Sequence, residues 1–148
     1  MTDSGIRYSH DFMKKKTGKY VPGDFELVPK RSSAGIGLYT KSEIPKGACI
    51  IEYVGKMLSE KEEYTSNSLY LFDNGKGKVL DGKPKWNKAG YINHSCIPNA
   101  EPETRMGHIY IMATKKIRPG EEITYDYGDE YFDEHIKPKG CKCPKHAK

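Results

Sequence analysis

Two segments of the chain combine residue types that can do chemistry. His94 and Cys96 suggest a base beside a thiol nucleophile, but residues two apart on one strand rarely reach bonding geometry, so we discard that interpretation. A disulfide between Cys141 and Cys143, also two residues apart, would be strained. We therefore interpret these two cysteines as metal thiolates, although two ligands alone do not make a metal site.

Two further patterns indicate turns rather than chemistry. Gly35-Ile36-Gly37 lacks the third glycine and the downstream acid of a dinucleotide-binding fingerprint, and no phosphate-loop Gly-Lys-Ser/Thr follows it. Glu121 and Glu122 would face opposite sides of a strand, which does not suit a general acid and base acting together. We interpret the two glutamates as part of a solvated turn.

The elements that must position these residues are short β-strands separated by glycine and proline. The predicted strands are Phe25 to Val28, Ile36 to Tyr39, Cys49 to Val54, Leu69 to Phe72, Ile109 to Ala113 and Ile123 to Tyr127. Ser59 to Tyr64 is the clearest helix, with Glu62 in capping-box spacing from Ser59. The turns at residues 44–47 and 117–120 share the pattern Ile-x-x-Gly with a proline inside and precede strands. The sequence predicts a mostly β, irregular single domain.

Composition limits the class of protein. The 148 residues suit one domain, and 36% hydrophobic residues with 11 tyrosines are unlike a disordered chain. The longest apolar runs have about five residues, whereas a membrane helix needs roughly 20. The N-terminus also lacks the apolar stretch of a secretory signal. We therefore expect an intracellular domain without a membrane span.

The net charge of +5 raises the question of nucleic-acid binding. The charges are segregated, because residues 121–134 hold seven acids and no base, while residues 137–148 hold five lysines and no acid. Tyrosines lie inside this acidic stretch, whereas a nucleic-acid surface places aromatic rings among basic residues. The pattern favours a basic peptide as partner, and salt-dependent DNA binding would test the nucleic-acid alternative.

Five segments occur in an order that is characteristic of one protein family. They are Ala34 to Leu38, Glu52 to Gly55, Tyr70 to Asp73, Tyr91 to Asn99 (with Asn-His-Ser-Cys) and Gly120 to Gly128 (with Tyr-Asp-Tyr). Together they resemble the cofactor loop, two strands, the asparagine-histidine signature and the second signature of SET-domain protein lysine methyltransferases. Asp81 and Asn87 also stand where this family has them.

The resemblance implies a mostly β fold of the β-clip type, with small sheets around a C-terminal pseudoknot. It also implies S-adenosylmethionine (SAM) as cofactor and a lysine in a basic, histone-like protein tail as acceptor. We expect mainly monomethylation. Methyl transfer to a neutral amine requires alignment rather than a protein nucleophile, and a dry tyrosine-lined channel can neutralise the lysine and hydrogen-bond its amine.

The family's functional positions match individual residues of this chain. Tyr127 matches the catalytic tyrosine, and Tyr70 and Tyr125 match positions that line the lysine channel. The implied cofactor-binding residues are Gly35, Ile36, Gly37, Tyr53, Asn93, His94 and Tyr127, with Tyr131 or Phe132 covering the adenine.

The family's zinc-binding tail is matched only in part. Cys96, Cys141 and Cys143 match three of its thiolates, whereas Lys148 stands at the position of the last cysteine. Structural zinc takes four ligands, and His146 has workable spacing for the fourth. Zinc is therefore a candidate second cofactor.

The predicted organisation is a basic arm (1–24), a SET domain (25–128) and a tail (129–148), similar to short, stand-alone family members. Many relatives have an arginine where this chain has Gly90, and Lys88 is a candidate replacement. The main alternative is a non-catalytic SET-fold module that binds peptides, although the tyrosine and Asn-His pair that such a module is expected to lose are intact. We expect a nuclear, chromatin-associated location in a eukaryotic or viral setting and a cytoplasmic one in a bacterium.

Overall fold

The computed structural model describes residues 18–143, which are mostly β. The strands are β1 (Leu27–Ser32), β2 (Gly35–Thr40), β3 (Cys49–Tyr53), β4 (Lys56–Met57), β5 (Leu71–Asp73), β6 (Val79–Asp81), β7 (Asn93–His94), β8 (Ala100–Arg105), β9 (His108–Ala113) and β10 (Glu122–Tyr125). The helical elements are α1 (Glu60–Thr65), a 3-10 helix (Lys88–Tyr91), α2 (Asp129–Tyr131), a π-helical turn (Phe132–Ile136) and a 3-10 turn (Lys137–Lys139). The predicted mostly β class is confirmed.

The strands form three small sheets, in the orders β1-β2-β10-β7, β3-β9-β8 and β4-β6-β5. β10 is antiparallel to β2, through the pairs Glu122–Tyr39 and Ile123–Leu38, and parallel to β7. The last strand of the described chain therefore lies in the middle of the first sheet. This arrangement brings the two signature segments side by side, as the predicted pseudoknot requires.

The two proline-glycine turns are joined to each other. Ile44 and Ile117 form a β-bridge in which each backbone N–H donates to the other's carbonyl oxygen at 2.8 Å. Gly47 and Gly120 end these turns with φ of 88° and 92°, a region that favours glycine. β3 and β10 therefore both begin close to this bridge.

The core consists mainly of aliphatic side chains, and some of them belong to strands of the first sheet. Its most deeply buried apolar side chains are Leu38, Ile44, Ile50, Ile92, Ile109, Ile111, Ile117 and Ile123. Since Leu38 and Ile123 are paired across β2 and β10, the core fixes the position of β10 directly. Burying a side chain of this size contributes about 1.5–3 kcal/mol.

The predicted helix is confirmed as α1. The Ser59 hydroxyl accepts the Glu62 N–H at 3.2 Å, and the Glu62 carboxylate accepts the Ser59 N–H at 2.9 Å, which is the predicted capping box. Among residues 18–143, no helix has the length and apolar character that crossing a bilayer requires.

Two predicted strands have other bounds, and four strands (β4, β6, β7 and β8) were not predicted. β5 covers Leu71–Asp73 rather than Leu69 to Phe72. β1 covers Leu27–Ser32 rather than Phe25 to Val28, because its register with β2 runs from Leu27–Thr40 to Ser32–Gly35. β8 was not predicted, since its sequence Ala-Glu-Pro-Glu-Thr-Arg contains a proline and three charges. Among the described strands, β8 lies at the edge of its sheet and pairs with β9 alone, and an edge position tolerates both features.

Candidate active site

A cavity of about 780 Å³ opens between the first sheet, β5 and the segment at residues 129–143, which is helical as far as Lys139. This volume lies within the range of small-molecule pockets. Ten of the predicted site residues line it: Ile36, Tyr53, Tyr70, Asn93, His94, Tyr125, Tyr127, Tyr131, Cys141 and Cys143. Segments far apart in sequence thus meet in one aromatic space.

The predicted catalytic tyrosine, Tyr127, and the two tyrosines predicted to line the lysine channel, Tyr70 and Tyr125, differ in burial. Tyr125 is buried, with 6% of its surface exposed, whereas Tyr70 is 44% exposed. Tyr127 has an intermediate exposure, and its ring centroid is 5.1 Å from that of Tyr125. Burial raises the pKa of Tyr125 well above its usual value, so this hydroxyl stays protonated at any working pH.

The hydroxyl group of Tyr127 is held in a fixed direction. It donates to the carbonyl oxygen of Ile92, in the segment that leads into β7. Burial and, to a smaller extent, the neighbouring Tyr131 and Tyr53 raise its pKa, so Tyr127 is also a neutral phenol. Because its hydrogen is directed at Ile92, the oxygen offers lone pairs to any amine that enters the channel.

Tyr53 supports the channel through its own contacts. Its hydroxyl donates to the Tyr70 carbonyl oxygen at 2.9 Å, and its ring lies 5.0 Å from that of Phe72. A Cβ added at Gly82 would overlap the Tyr53 ring, so the glycine makes room for it. Tyr53 therefore presents its ring to the cavity while its hydroxyl fixes the backbone at Tyr70.

The neutral form of His94 follows from its hydrogen bonds. Its Nδ1 accepts the backbone N–H of Tyr127 at 3.1 Å, so the single ring proton of a neutral imidazole is on Nε2. The ring also packs against Tyr127 and Phe132, with centroid distances of 5.5 and 5.3 Å. His94 thus links the two signature segments to the first residues of the tail.

The expectation that His94 and Cys96 are out of bonding range is wrong. His94 Nε2 lies 3.3 Å from Cys96 Sγ, because residues 95–96 leave the strand after β7. Since Nε2 carries the proton, the imidazole donates toward sulphur and cannot act there as a base. The contact therefore orients the sulphur and does not form a nucleophilic pair.

Three cysteine sulphurs gather beside the cavity. Cys96 Sγ is 3.9 Å from Cys141 Sγ, and the Cys96 N–H donates to Cys143 Sγ at 3.5 Å. Zn–S bonds of about 2.3 Å in a tetrahedron place sulphurs about 3.8 Å apart, so this spacing fits zinc. Burial, followed by the two neighbouring sulphurs, raises the pKa of the Cys96 thiol to about 12, a penalty that a bound cation would reverse.

The tail forms the second wall of the cavity. Tyr131, His135, Cys141 and Cys143 line it, and the Ser33 hydroxyl donates to the Lys142 carbonyl oxygen at 2.7 Å. The Tyr131 ring meets that of Tyr127 edge-on at 5.0 Å. The predicted ligand His146 lies outside the described residues.

Other predicted residues take different positions. Gly35, Gly37 and Phe132 are not among the residues of the described range that line the cavity, although Ala34 and Ile36 are. Of the two candidates for covering the adenine, Tyr131 lines the cavity and Phe132 packs on His94.

Two residues near the site have contacts that the sequence did not reveal. Lys88 Nζ donates to the Leu27 carbonyl oxygen at 3.1 Å, so it ties the 3-10 helix to β1.

The solvated-turn interpretation holds for Glu121, whose carboxylate accepts the Arg118 N–H at 2.7 Å. It is wrong for Glu122, which starts β10 and accepts a hydrogen bond from Asn93 at 2.9 Å.

Three small sheets, with β10 between β2 and β7 in the first of them and an aromatic cavity beside β10, define a SET-type fold. A family model described as the SET domain matches residues 35–128, and the chain belongs to this family.

Curated relatives that match the chain are histone-lysine methyltransferases. Histone-lysine N-methyltransferase trr of Drosophila melanogaster is 33% identical over 93% of this chain, and ASHH3 of Arabidopsis thaliana is 36% identical over 73%. The chain spans only 6% and 34% of those proteins.

A solved structure is similar as well: KRYPTONITE in complex with mCHH DNA, an H3(1-15) peptide and SAH, with a TM-score of 0.61 and 27% identity. That match covers 80% of this chain and 26% of the other.

Proposed function

We propose that this chain is a SAM-dependent protein-lysine N-methyltransferase that acts on a lysine in a basic, histone-like protein tail. The observation that carries the proposal is the convergence of Tyr70, Tyr125 and Tyr127 with Asn93 and His94 in one cavity. The similarity to histone-lysine methyltransferases supports the same reaction. Chromatin is the expected place of action if the chain comes from a eukaryote or a virus.

The residues present fit SAM, whose sulfonium would supply an electrophilic methyl group. The cavity volume is sufficient, and its wall combines aromatic rings with the polar side chain of Asn93. Asn93, His94 and Ile36 would hold the amino-acid end together with the ring of Tyr53. Tyr131, rather than Phe132, is the better-placed cover for the adenine.

The channel tyrosines would prepare the acceptor lysine. A lysine amine that enters among buried rings loses solvation, which lowers its pKa from about 10.4 and favours the neutral, nucleophilic form. The Tyr127 oxygen, directed by Ile92, can accept an amine hydrogen and aim the nitrogen lone pair. The protein therefore aligns the reacting atoms and excludes water from them, and it supplies no covalent nucleophile.

Monomethyl-lysine is the proposed main product. Tyr125 is buried at the inner end of the channel, where its hydroxyl can hydrogen-bond the amine or a water. Each added methyl group needs room and removes an N–H donor, so this hydroxyl penalises later transfers more than the first.

We also propose a structural zinc ion at Cys96, Cys141 and Cys143, with His146 as fourth ligand. The 3.9 Å sulphur separation supports this proposal. His94 is the less suitable fourth ligand, because the Tyr127 N–H occupies Nδ1 and the proton occupies Nε2. The zinc would fasten the tail wall beside the signature segment.

One experiment tests the proposed reaction. Radiolabelled SAM is incubated with the chain and a panel of histones, and the labelled band is analysed by mass spectrometry. We expect methyl-lysine in a histone. If the chain binds SAM and histone peptides but transfers no label, the non-catalytic peptide-binding alternative replaces this proposal.

A further inference from the structure

Three strands of the first sheet meet at the side chain of Asn93. Its Nδ2 lies 2.9 Å from Glu122 Oε2, 3.0 Å from Ser32 Oγ and 3.2 Å from the Ile36 carbonyl oxygen. Carboxylate and carbonyl oxygens only accept hydrogen bonds, so these contacts fix which end of the amide carries the NH₂ group. The amide oxygen Oδ1 is therefore directed away from Glu122, and Asn93 lines the cavity.

The position of the Glu122 carboxylate is built into the fold. A Cβ added at Gly37 would overlap this carboxylate and would lie 3.1 Å from Asn93 Nδ2, so glycine leaves the space where the two groups meet. The Asn99 amide donates to the Glu122 carbonyl oxygen at 2.8 Å and accepts the Thr124 N–H at 2.9 Å. Glu122 is thus held from both its backbone and its side chain.

We propose that Glu122 is a positioning residue that acts through Asn93. Its carboxylate holds the Asn93 NH₂ group, which leaves Oδ1 as a fixed acceptor for a cationic amino group such as that of SAM. A rotated amide would instead present NH₂ to that cation and repel it. This inference rests on the proposed SAM-binding function, and it assigns Glu122 to cofactor affinity rather than to methyl transfer.

Isothermal titration of SAM and its product S-adenosylhomocysteine into purified variants tests the role of Glu122. Glu122→Ala is expected to weaken binding of both by at least about tenfold, the size of a charge-assisted hydrogen bond. Glu122→Gln retains an oxygen acceptor for Asn93, so it should recover affinity to within about threefold of the parent. Glu121→Ala removes the adjacent carboxylate, which accepts the Arg118 N–H in the turn and makes no described contact with Asn93, and it should bind like the parent. Unaltered binding by Glu122→Ala would overturn the inference.

A double-mutant cycle separates positioning from a general structural effect. If Glu122 acts through Asn93, Glu122→Ala should change SAM affinity by less than about twofold in an Asn93→Ala background. Additive losses would show that Glu122 acts by another route. If Glu122→Ala does not fold, Glu122→Met is used instead, because methionine keeps the length of the side chain but has no oxygen that could accept the hydrogen bond from Asn93. A parent chain that does not bind SAM would refute the proposed function itself, which is a different outcome.

Discussion

The two walls of the cavity are held in different ways. The sheet wall carries Asn93, Tyr125 and Tyr127 on strands or strand ends that pair in the middle of the first sheet and rest on the aliphatic core. The tail wall carries Tyr131 and His135 on short helical turns. It is joined to the sheet wall by the cysteine cluster, the Ser33–Lys142 hydrogen bond and the ring contacts of Tyr131 and Phe132. From this difference we expect the sheet wall to position the reacting groups and the amino-acid end of SAM, and the tail wall to cover the adenine.

Removing one hydroxyl from the sheet wall should have the largest effect. Tyr127→Phe keeps the ring but loses the oxygen that is directed by Ile92, and we expect methyl transfer to fall by at least about 100-fold. SAM affinity and the melting temperature should change little. Steady-state assays with a histone peptide measure methyl transfer, and calorimetry measures SAM affinity and the melting temperature.

Tyr110→Phe is the matched control, because Tyr110 lies in β9 outside the cavity. Its activity should stay within about twofold of the parent. If Tyr127→Phe transfers methyl groups like this control, the sheet wall does not carry the reaction.

The pH dependence should also originate outside the sheet wall. Burial raises the pKa of Tyr125 and Tyr127 above the usual value of a tyrosine, so both stay neutral over the pH range of the assay, and only the substrate lysine must lose a proton. We expect kcat/KM to rise about tenfold per pH unit until the pH reaches the pKa of the lysine. Initial rates between pH 6.5 and 9.5, with folding followed by circular dichroism, measure this slope. A decline below pH 9 in a folded enzyme would indicate that an enzyme group must remain protonated.

Loosening the tail wall should weaken SAM binding without abolishing the reaction. Cys141→Ser removes one thiolate next to Cys96, and we expect about tenfold weaker SAM binding, with kcat at saturating SAM within about threefold of the parent. Cys49→Ser provides a control for the loss of a thiol, since Cys49 is buried in β3 outside the cavity.

Metal analysis addresses the zinc directly. Protein purified without chelators should contain about one equivalent of zinc, and Cys141→Ser should contain much less. Less than about a tenth of an equivalent in the parent would exclude the zinc centre.

The inner end of the sheet wall should set the degree of methylation. Tyr125→Phe removes the hydroxyl that restricts a methylated amine, and a penalty of about 1.4 kcal/mol per transfer corresponds to a tenfold change in rate. We expect the parent to yield mainly monomethyl-lysine and the variant to shift toward di- and trimethyl-lysine. Mass spectrometry of a peptide driven to completion measures the products. Abundant trimethyl-lysine from the parent would contradict the role of Tyr125.

The smallest expected effect concerns the charge on the tail side. Six of the seven acids between residues 121 and 134 are exposed, and Asp126 lines the cavity. A lysine flanked by basic residues should therefore react several-fold faster than the same lysine in an acidic peptide. The advantage should shrink between about 50 mM and 500 mM salt, because exposed charges are screened. Equal rates for both peptides at low salt would remove this role.

Local sequence was sufficient to predict elements that depend on near neighbours. The capping box of α1 and the two turns before β3 and β10 involve residues within a few positions of one another. The signature segments identified Tyr127 and Asn93 through resemblance, and the structure places both at the cavity.

Contacts across the sheet were not predictable in the same way. Glu122 differs from Glu121 only because β10 pairs with β2 and lies beside β7, which no local pattern reveals. β8 was not predicted because Pro102 and the charged residues are unlike most strand sequences, although an edge strand can contain them.

The central position of β10 also has a consequence for how the chain is made. Synthesis proceeds from the N-terminus, so β2 and β7 leave the ribosome before the strand that must separate them. Until residue 125 has emerged, the backbone edges that will pair with β10 stay open to other chains. The nascent protein therefore closes these strand edges and brings Tyr125 and Tyr127 to the cavity in the same late folding step.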